Sequence, residues 1–367
     1  MLMKILHIIN SLETGGAEKL VIETLPLYEE HGITADLLLL NGTNHPFLQE
    51  LVAKKCCQIF TLGTSSVYHP KNIFGIIPFL KEYDIVHVHL FPAQHYVAIA
   101  KMLSGAKSKL IFTEHSTSNR RFKNKIFKPF DKIIYNQYHK IIAITPAVKQ
   151  KILAHTDLKE EKIIVIENGI SLGKIHEASP YQPNEIASNL KQSDILILQV
   201  SSFQEPKDQA TVIRALVELP DHFKLVFVGN GILRQNAIDV VNRLNLGLRV
   251  LFLGIRNDVP RLLKTSDIIV LSSKYEGLSL SSIEGMASGK PFVASDVPGL
   301  KEVVSGAGIL FPLGDEKQLA EEILHLSNDA DHYIATVEKC VARAKEYDIC
   351  KMVAEHINLY EEILRTK

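Results

Sequence analysis

Short runs that are apolar throughout, instead of alternating with polar residues, recur along the whole chain. In the first half they are KILHII (4–9), TADLLLL (34–40), DIVHVHL (84–90), KLIFT (109–113), KIIAIT (140–145) and KIIVIE (162–167). In the second half they are DILILQV (194–200), KLVFVG (224–229), RVLFLG (249–254), DIIVLS (267–272), PFVAS (291–295) and GILF (308–311). A strand apolar on both sides is covered on both faces, as in a parallel sheet. The stretches between the runs carry helical spacing, and strand alternating with helix at this interval predicts α/β units.

The two series are separated by ISLGKIHEASPYQPNEIASNLKQS (170–193), which has two prolines, many polar residues and no strong periodicity. It reads as a linker. The expected organisation is an N-terminal Rossmann-like domain over 1–172, a linker over 173–193, a second such domain over 194–346, and a C-terminal segment over 347–367. In that last segment Met352, Val353, Ile357, Tyr360, Ile363 and Leu364 give a helix one apolar side. This helix is expected to pack back toward the N-terminal domain. Doubly wound sheets bind ligands beyond the carboxyl ends of their strands. The fold class is therefore α/β, with two doubly wound domains facing a cleft.

Composition narrows the partners. Of 367 residues, 46% are hydrophobic and 22% charged, enough to bury sizeable cores without disulfides. Basic and acidic residues balance at 41 each, so nothing global favours nucleic acid and an anionic ligand needs a local site. Cys56, Cys57, Cys340 and Cys350 form neither a C-x-x-C nor a zinc spacing, as expected for reduced thiols in a cytosolic protein. The apolar start is too short for a signal peptide, and no run approaches the ~18 residues that span a bilayer.

The densest chemistry lies in EGLSLSSIEGMASGKP (276–291), between two predicted strands. Ser281-Ser282-Ile283-Glu284 has the form of a capping box, with a helix beginning near Ser281 and Glu284 reaching back to the cap amide. The other reading is that loop and helix start offer free N–H groups to a phosphate, while Glu276 and Glu284 accept hydrogen bonds from sugar hydroxyls. Position at the carboxyl end of a strand favours the second.

Other candidates carry plainer alternatives. Lys207, in QVSSFQEPKDQATVIRAL, begins a helix and by itself reads as a solvated lysine. Gly15 and Gly16 follow the first strand, where glycine permits positive φ and close backbone approach; the text is not GxGxxG, so a dinucleotide site is poorly supported. His115 follows KLIFT at a strand end, where a lone histidine is more often structural. His87 and His89 share one strand face; with no carboxylate or cysteine to complete a metal site, they read as cleft lining near an acceptor. NRRFKNKIFKPFDK (119–132) interleaves six basic residues with three phenylalanines. It reads either as a solvated face or as a segment lying on an anionic membrane.

FLGIRNDVPRLLKTSDIIVLSSKYEGLSLSSIEGMASGKPFVASDVPGLKEVV resembles, almost continuously, the E-x7-E region of the retaining glycosyltransferase family four, of GT-B fold. LVFVGNGILR, GILFPLGD, VIENGI and TGGAEKLV resemble it too, in the right order. The resemblance implies that Glu284 holds the ribose hydroxyls of a nucleotide and Glu276 the hydroxyls of the transferred sugar. Backbone amides of Gly277, Leu278, Ser279, Leu280 and Ser281 would receive the diphosphate. The family carries V-G-R and then a lysine at the turn where this chain has Ser201, Ser202 and Lys207. Lys207 fits the lysine, whereas Ser202 replaces the arginine and removes one fixed positive charge; Arg234 and Arg256 are candidate substitutes. Gly15 and Gly16 would lie by the donor sugar and phosphate, and His115 beside the reacting sugar. Asp329-Ala330-Asp331 spells D-x-D, the metal motif of a different transferase fold, but falls in a polar break away from any strand end.

The implied activity is a retaining, metal-independent glycosyltransferase of surface polysaccharide biosynthesis, with Lys207, Glu276 and His115 as catalytic candidates. It would move a sugar from a nucleotide-sugar donor, UDP favoured and GDP open, to a glycan or lipid-linked acceptor. No metal or cofactor beyond the donor is implied, and no nucleic acid. The setting would be the cytoplasm, at the inner face of the cytoplasmic membrane, with 119–132 as the contact. Two alternatives stand beside this: an epimerase of the same fold, which isomerises the donor without an acceptor, and a non-catalytic nucleotide-sugar-binding protein, which Ser202 supports.

Overall fold

The computed structural model describes residues 3–13, 15–115 and 127–365. The chain forms two compact units, one running to Gly169 and resuming at Ile349, the other Ile170–Asp348. The first is built on β1 (Lys4–Ile9), β2 (Thr34–Leu39), β3 (Ile59–Thr61), β4 (Ile85–His89), β5 (Lys109–Glu114), β6 (Lys140–Ala143) and β7 (Ile163–Val165). Its strand order is β3-β2-β1-β4-β5-β6-β7, every pair parallel. The second is built on β8 (Ile195–Val200), β9 (Phe223–Val228), β10 (Val250–Phe252), β11 (Ile268–Leu271), β12 (Phe292–Ser295) and β13 (Ile309–Phe311). Its order is β10-β9-β8-β11-β12-β13, again parallel.

The apolar runs form strands because consecutive residues are buried on opposite faces. Ile5, Leu6, Ile8 and Ile9 all have zero exposure, and each such side chain contributes about 2 kcal/mol by leaving water. In the second unit Phe203, Phe223, Phe227 and Phe311 fill one core with Ile213 and Leu225. β3 is the strand the apolar pattern does not reveal. It is three residues long, at a sheet edge, with Ile59 and Phe60 only half-buried, and the Gln58 amide donates to Asp36 Oδ1 at 2.9 Å just before it.

The segment expected to be a linker is folded onto the second unit. It holds two short helices, Leu172–His176 and Pro183–Ile186, and buries Ile175 and Leu190. Tyr181 fastens it: its amide donates to Thr265 Oγ1 at 2.8 Å, its phenol donates to Asp258 Oδ2 at 2.5 Å, and the Arg261 guanidinium lies 3.6 Å from its ring centroid.

In the first unit the helix Ile349–Arg365 lies against the helix Gly16–Glu30. Tyr28 Oη, from the latter, meets His356 Nδ1 at 2.8 Å and Tyr360 Oη at 3.2 Å. Of the basic segment 119–132, residues 119–126 fall outside the described residues, and the rest leads into the helix Lys128–Asn136. That helix is anchored by Asp131, wholly buried, which accepts from His95 Nε2 at 3.0 Å and His155 Nε2 at 2.8 Å. The two histidines sit on the helices Ala93–Ser104 and Pro146–Thr156, so one carboxylate ties three helices.

Removing a buried carboxylate leaves both imidazoles without their acceptor. Asp131→Ala is expected to destabilise the first unit by about 3 kcal/mol. This should appear as a drop of roughly 10 °C in its thermal midpoint, with Asp131→Asn losing less than half as much.

Candidate active site

In each sheet the chain reverses direction beside its first strand, between β1 and β4 in one unit and between β8 and β11 in the other. Crevices at such switch points are where open α/β sheets bind ligands. In the second unit the loops after β8 and β11 are stitched together there. The Asp208 amide donates to the Ser272 carbonyl at 3.0 Å and the Lys274 amide to the Pro206 carbonyl at 2.9 Å. Lys207 and Ser273 face each other across this antiparallel bridge. Asp208 also caps the helix Gln209–Ala215, accepting from the Thr211 amide at 3.3 Å and from the Thr211 hydroxyl at 2.6 Å.

The stitch brings Lys207 onto Glu276, sixty-nine residues away in sequence. Lys207 Nζ donates to Glu276 Oε1, and the same oxygen accepts from Ser273 Oγ at 2.6 Å. Both charged side chains are largely buried, at 13% and 11% exposure. Lys207 is therefore not the solvated helix-start lysine that its local sequence allows.

The capping-box reading of Ser281 to Glu284 does not hold. The helix runs Leu280–Ala287, one residue earlier than expected, and its cap is Ser279, whose Oγ accepts from the Ser282 amide. Glu284 is thus the fifth helical residue, too far along to bond the cap amide. It is buried, and one turn beyond Leu280 and Ser281 on the same helix face. Gly277, Leu280 and Ser281 stay partly exposed while Ser282 to Ser288 are buried, so the open surface is confined to the helix start. Helix amides at that end have no partners within the helix and favour an anion.

Two residues of this site were not singled out from the sequence. Ser273 was hidden inside a polar loop. Gly299 belongs to the turn after β12, where φ is +90°. A Cβ there would strike the carbonyl of Glu276 and come within 2.6 Å of the Gly277 oxygen. The Glu276 amide donates to the Pro298 carbonyl at 2.9 Å, so this turn props the glutamate loop. The Pro298-Gly299 pair was the available signal, since that dipeptide marks turns.

Arg256, a candidate for the missing arginine, is engaged by a carboxylate of its own unit. Its Nε and Nη2 donate to Asp258 at 2.7 and 2.5 Å. Asp258, held well below the usual carboxylate range chiefly by that guanidinium, also takes the Tyr181 phenol. Arg256 thus helps fasten the 170–193 segment. Ser202 is exposed, its carbonyl accepting from Gln209 Nε2 at 2.9 Å. Arg234 opens the helix Arg234–Arg243 after β9, the neighbour of β8. Its Nε is buried without a hydrogen-bond partner among the described residues.

In the first unit Gly15 and Gly16 precede and open the helix Gly16–Glu30, at the carboxyl end of β1. Gly15 is extended, at φ −157°, so the left-handed freedom expected of it is unused. The glycine supplies room instead, because a Cβ would meet the Glu18 carboxylate. His115 directly follows β5. His87 and His89 are 0% and 5% exposed and form a polar cluster on one sheet face with His7. His7, His87 and His89 each place a ring nitrogen within 4.8 Å of the others, as Glu322, His325 and His332 do elsewhere with one ligand atom each. In the D-x-D stretch, Asp329 Oδ1 caps the helix Ala330–Ala344 by accepting from the His332 amide at 2.9 Å.

Two family models match the chain: Glycosyltransferase Family 4 over residues 14–174 and Glycosyl transferases group 1 over residues 182–347. The UDP-Gal:alpha-D-GlcNAc-diphosphoundecaprenol alpha-1,3-galactosyltransferase of Escherichia coli is 24% identical, across 100% of this chain and 98% of its own. The N-acetylgalactosamine-N,N'-diacetylbacillosaminyl-diphospho-undecaprenol 4-alpha-N-acetylgalactosaminyltransferase of Campylobacter jejuni is also 24% identical, across 95% and 96%. Among solved structures, Anabaena HepE in complex with UDP and glucose superposes with a TM-score of 0.83 at 21% identity, covering 98% of this chain and 99% of that one. A glycosyltransferase from Rickettsia africae gives 0.82 at 21% identity over the whole of both chains. These superpositions establish the GT-B fold.

Gly299→Ala tests the prop beneath the glutamate loop. With a positive φ and two backbone oxygens in the way, it is expected to cost about 2 kcal/mol or more of second-unit stability. Hydrogen exchange should rise across 276–281 and remain unchanged in β8 and β9.

Proposed function

The chain belongs to glycosyltransferase family four, and from that membership we propose that it is a retaining, metal-independent enzyme that transfers a sugar from a nucleotide-sugar, UDP-linked by preference, to a lipid-linked or glycan acceptor in surface polysaccharide assembly. The observation that carries this reading is the Lys207–Glu276 pair beside the open start of the helix Leu280–Ala287. A sugar diphosphate offers each partner what the other now gives. Phosphate oxygens suit the ammonium and sugar hydroxyls suit the carboxylate. Glu284, not engaged with the cap amide, is assigned to the ribose.

Breaking the sugar–phosphate bond builds negative charge on the diphosphate and positive charge on the ring. Lys207 and the amides from Gly277 to Ser281 would stabilise the first, as donors fixed before the reaction begins. Arg234, not Arg256, is the candidate for the charge lost at Ser202. Both glutamates belong to one unit and neither is assigned as a nucleophile, since two-carboxylate hydrolysis needs acids flanking the bond. The diphosphate itself would help deprotonate the acceptor hydroxyl on the face it leaves. From the first unit, Gly15, Gly16 and His115 are assigned to the sugar and phosphate. Burial pushes His115 down to about 4, so near neutrality it would act as a neutral hydrogen-bonding group. The two undecaprenol relatives are named as alpha-transferases, which accords with retention from an alpha-linked donor.

A membrane-surface acceptor is supported by the helix Lys128–Asn136. Phe127, Phe130 and Ile133 are 44%, 48% and 50% exposed, with Lys128 and Lys132 between them, a composition suited to an anionic bilayer surface. Among the described residues no helix is long and apolar enough to cross a membrane. Ser202 favours one rival, a nucleotide-sugar-binding protein without turnover.

The test is nucleotide release from a panel of UDP-, GDP- and ADP-sugars, with and without an undecaprenyl-diphosphate-linked acceptor and with EDTA throughout. One donor is expected to release nucleotide faster with acceptor and to yield the alpha product. Lys207→Ala should lower kcat by roughly 10²–10³, and Glu284→Ala should abolish nucleotide binding. Binding without release under every acceptor would favour the binding protein, and isomerisation of a donor would favour the epimerase.

A further inference from the structure

Building on the assignment of His115 to the sugar, we propose that His89 and His7 are positioning residues: they form a one-way hydrogen-bond chain that fixes His115 as the tautomer protonated on Nδ1. The three histidines come from adjacent strands, His7 from β1, His89 from the end of β4 and His115 from just beyond β5. His7 Nδ1 meets His89 Nε2 at 3.1 Å, and His89 Nδ1 meets His115 Nε2 at 3.1 Å. All three are neutral near pH 7, because burial lowers His7 to about 3, His115 to about 4 and His89 well below the ordinary value.

A neutral imidazole has one N–H and one lone pair. Three of them joined head to tail must all point the same way, leaving an N–H at one end and a lone pair at the other. The ends are His7 Nε2 and His115 Nδ1, both buried and without a hydrogen-bond partner among the described residues. A buried orphan donor is rarer than an under-satisfied acceptor. His7 is 1% exposed, in a pocket lined by Leu20, Val21, Thr24 and Tyr28, whereas His115 is only half-buried, at the carboxyl edge of the sheet. The lone pair therefore belongs on His7 and the N–H on His115 Nδ1, at the end of the chain that faces the ligand-binding edge of the sheet. A small cavity of about 20 Å³, lined by His7, His89, His115, His356 and Asn168, runs beside the chain.

His87 is the internal control. It stands on the same face as His89, but both its nitrogens are satisfied, Nδ1 by the Tyr360 hydroxyl and Nε2 by the Thr113 hydroxyl, each at 2.7 Å. It holds the helix Ile349–Arg365 to the sheet and takes no part in the chain.

The experiment labels histidine with 15N in the full-length, ligand-free protein and reads each imidazole tautomer by long-range proton–nitrogen correlation near neutral pH. The expected result is protonated Nδ1 at His7, His89 and His115. In His89→Phe, His115 should lose that preference, and kcat should fall about 10–100-fold with the donor KM within about threefold. His89→Asn, whose amide nitrogen stands where Nδ1 was, should keep the His115 tautomer and most of kcat, whereas His89→Gln should not. His87→Phe should lower the thermal midpoint and leave the His115 signal unchanged. Protonated Nε2 at His115 in the parent protein, equal losses in His89→Asn and His89→Phe, or one equivalent of zinc bound to the histidines would each overturn the proposal. The tautomer measurement needs no turnover, so its failure is distinguishable from failure of the transferase reading.

Discussion

A parallel sheet covered on both faces has almost no place for charge along its strands. Backbone groups there are paired with neighbouring strands, and side chains on either face meet helices. Charge is admitted at the carboxyl edge, where strands end and helices begin, and most freely where the strand order reverses. The proposed site residues follow that constraint in each unit. Glycines 15 and 16 and His115 fall at the edge formed by β1, β4 and β5, and Lys207 and Glu276 at the edge formed by β8 and β11.

Within the second unit, the decisive contact is the backbone stitch between the loops after β8 and β11. It sets an ammonium against a carboxylate in a place where water is scarce. Such a pair gains little net stability, because desolvating both charges offsets most of their attraction. What the contact fixes is geometry: both groups are held in place, with Ser273 steadying the carboxylate and Gly299 supporting the loop from behind. Ser279 completes the arrangement by taking the cap, which separates Glu284 from the helix end.

The first unit admits polar groups deeper. His7, His87 and His89 sit inside, and two tyrosines and His356 cover them. They are tolerated because burial keeps them uncharged and because nearly every nitrogen finds a partner. The C-terminal helix closes this layer, so a segment at the end of the chain completes a core begun at its start.

Strand positions, the α/β class and the location of the E-x7-E segment were legible in the sequence, because burial on both faces writes itself as unbroken apolar runs and because turn and helix-start residues are local signals. β3 was not, since three residues at an edge leave no run. The cap at Ser279 was not either: Ser279, Ser281 and Ser282 are all competent caps, and only the path of the preceding loop selects one. Lys207 as a buried partner of Glu276, Arg256 as a fastener of the 170–193 segment, and the joining of His7 to His89 and His115 were decided by tertiary structure alone. Each depends on which strands lie side by side, and strand order is set by the packing of the whole sheet, not by any residue's neighbours in the chain.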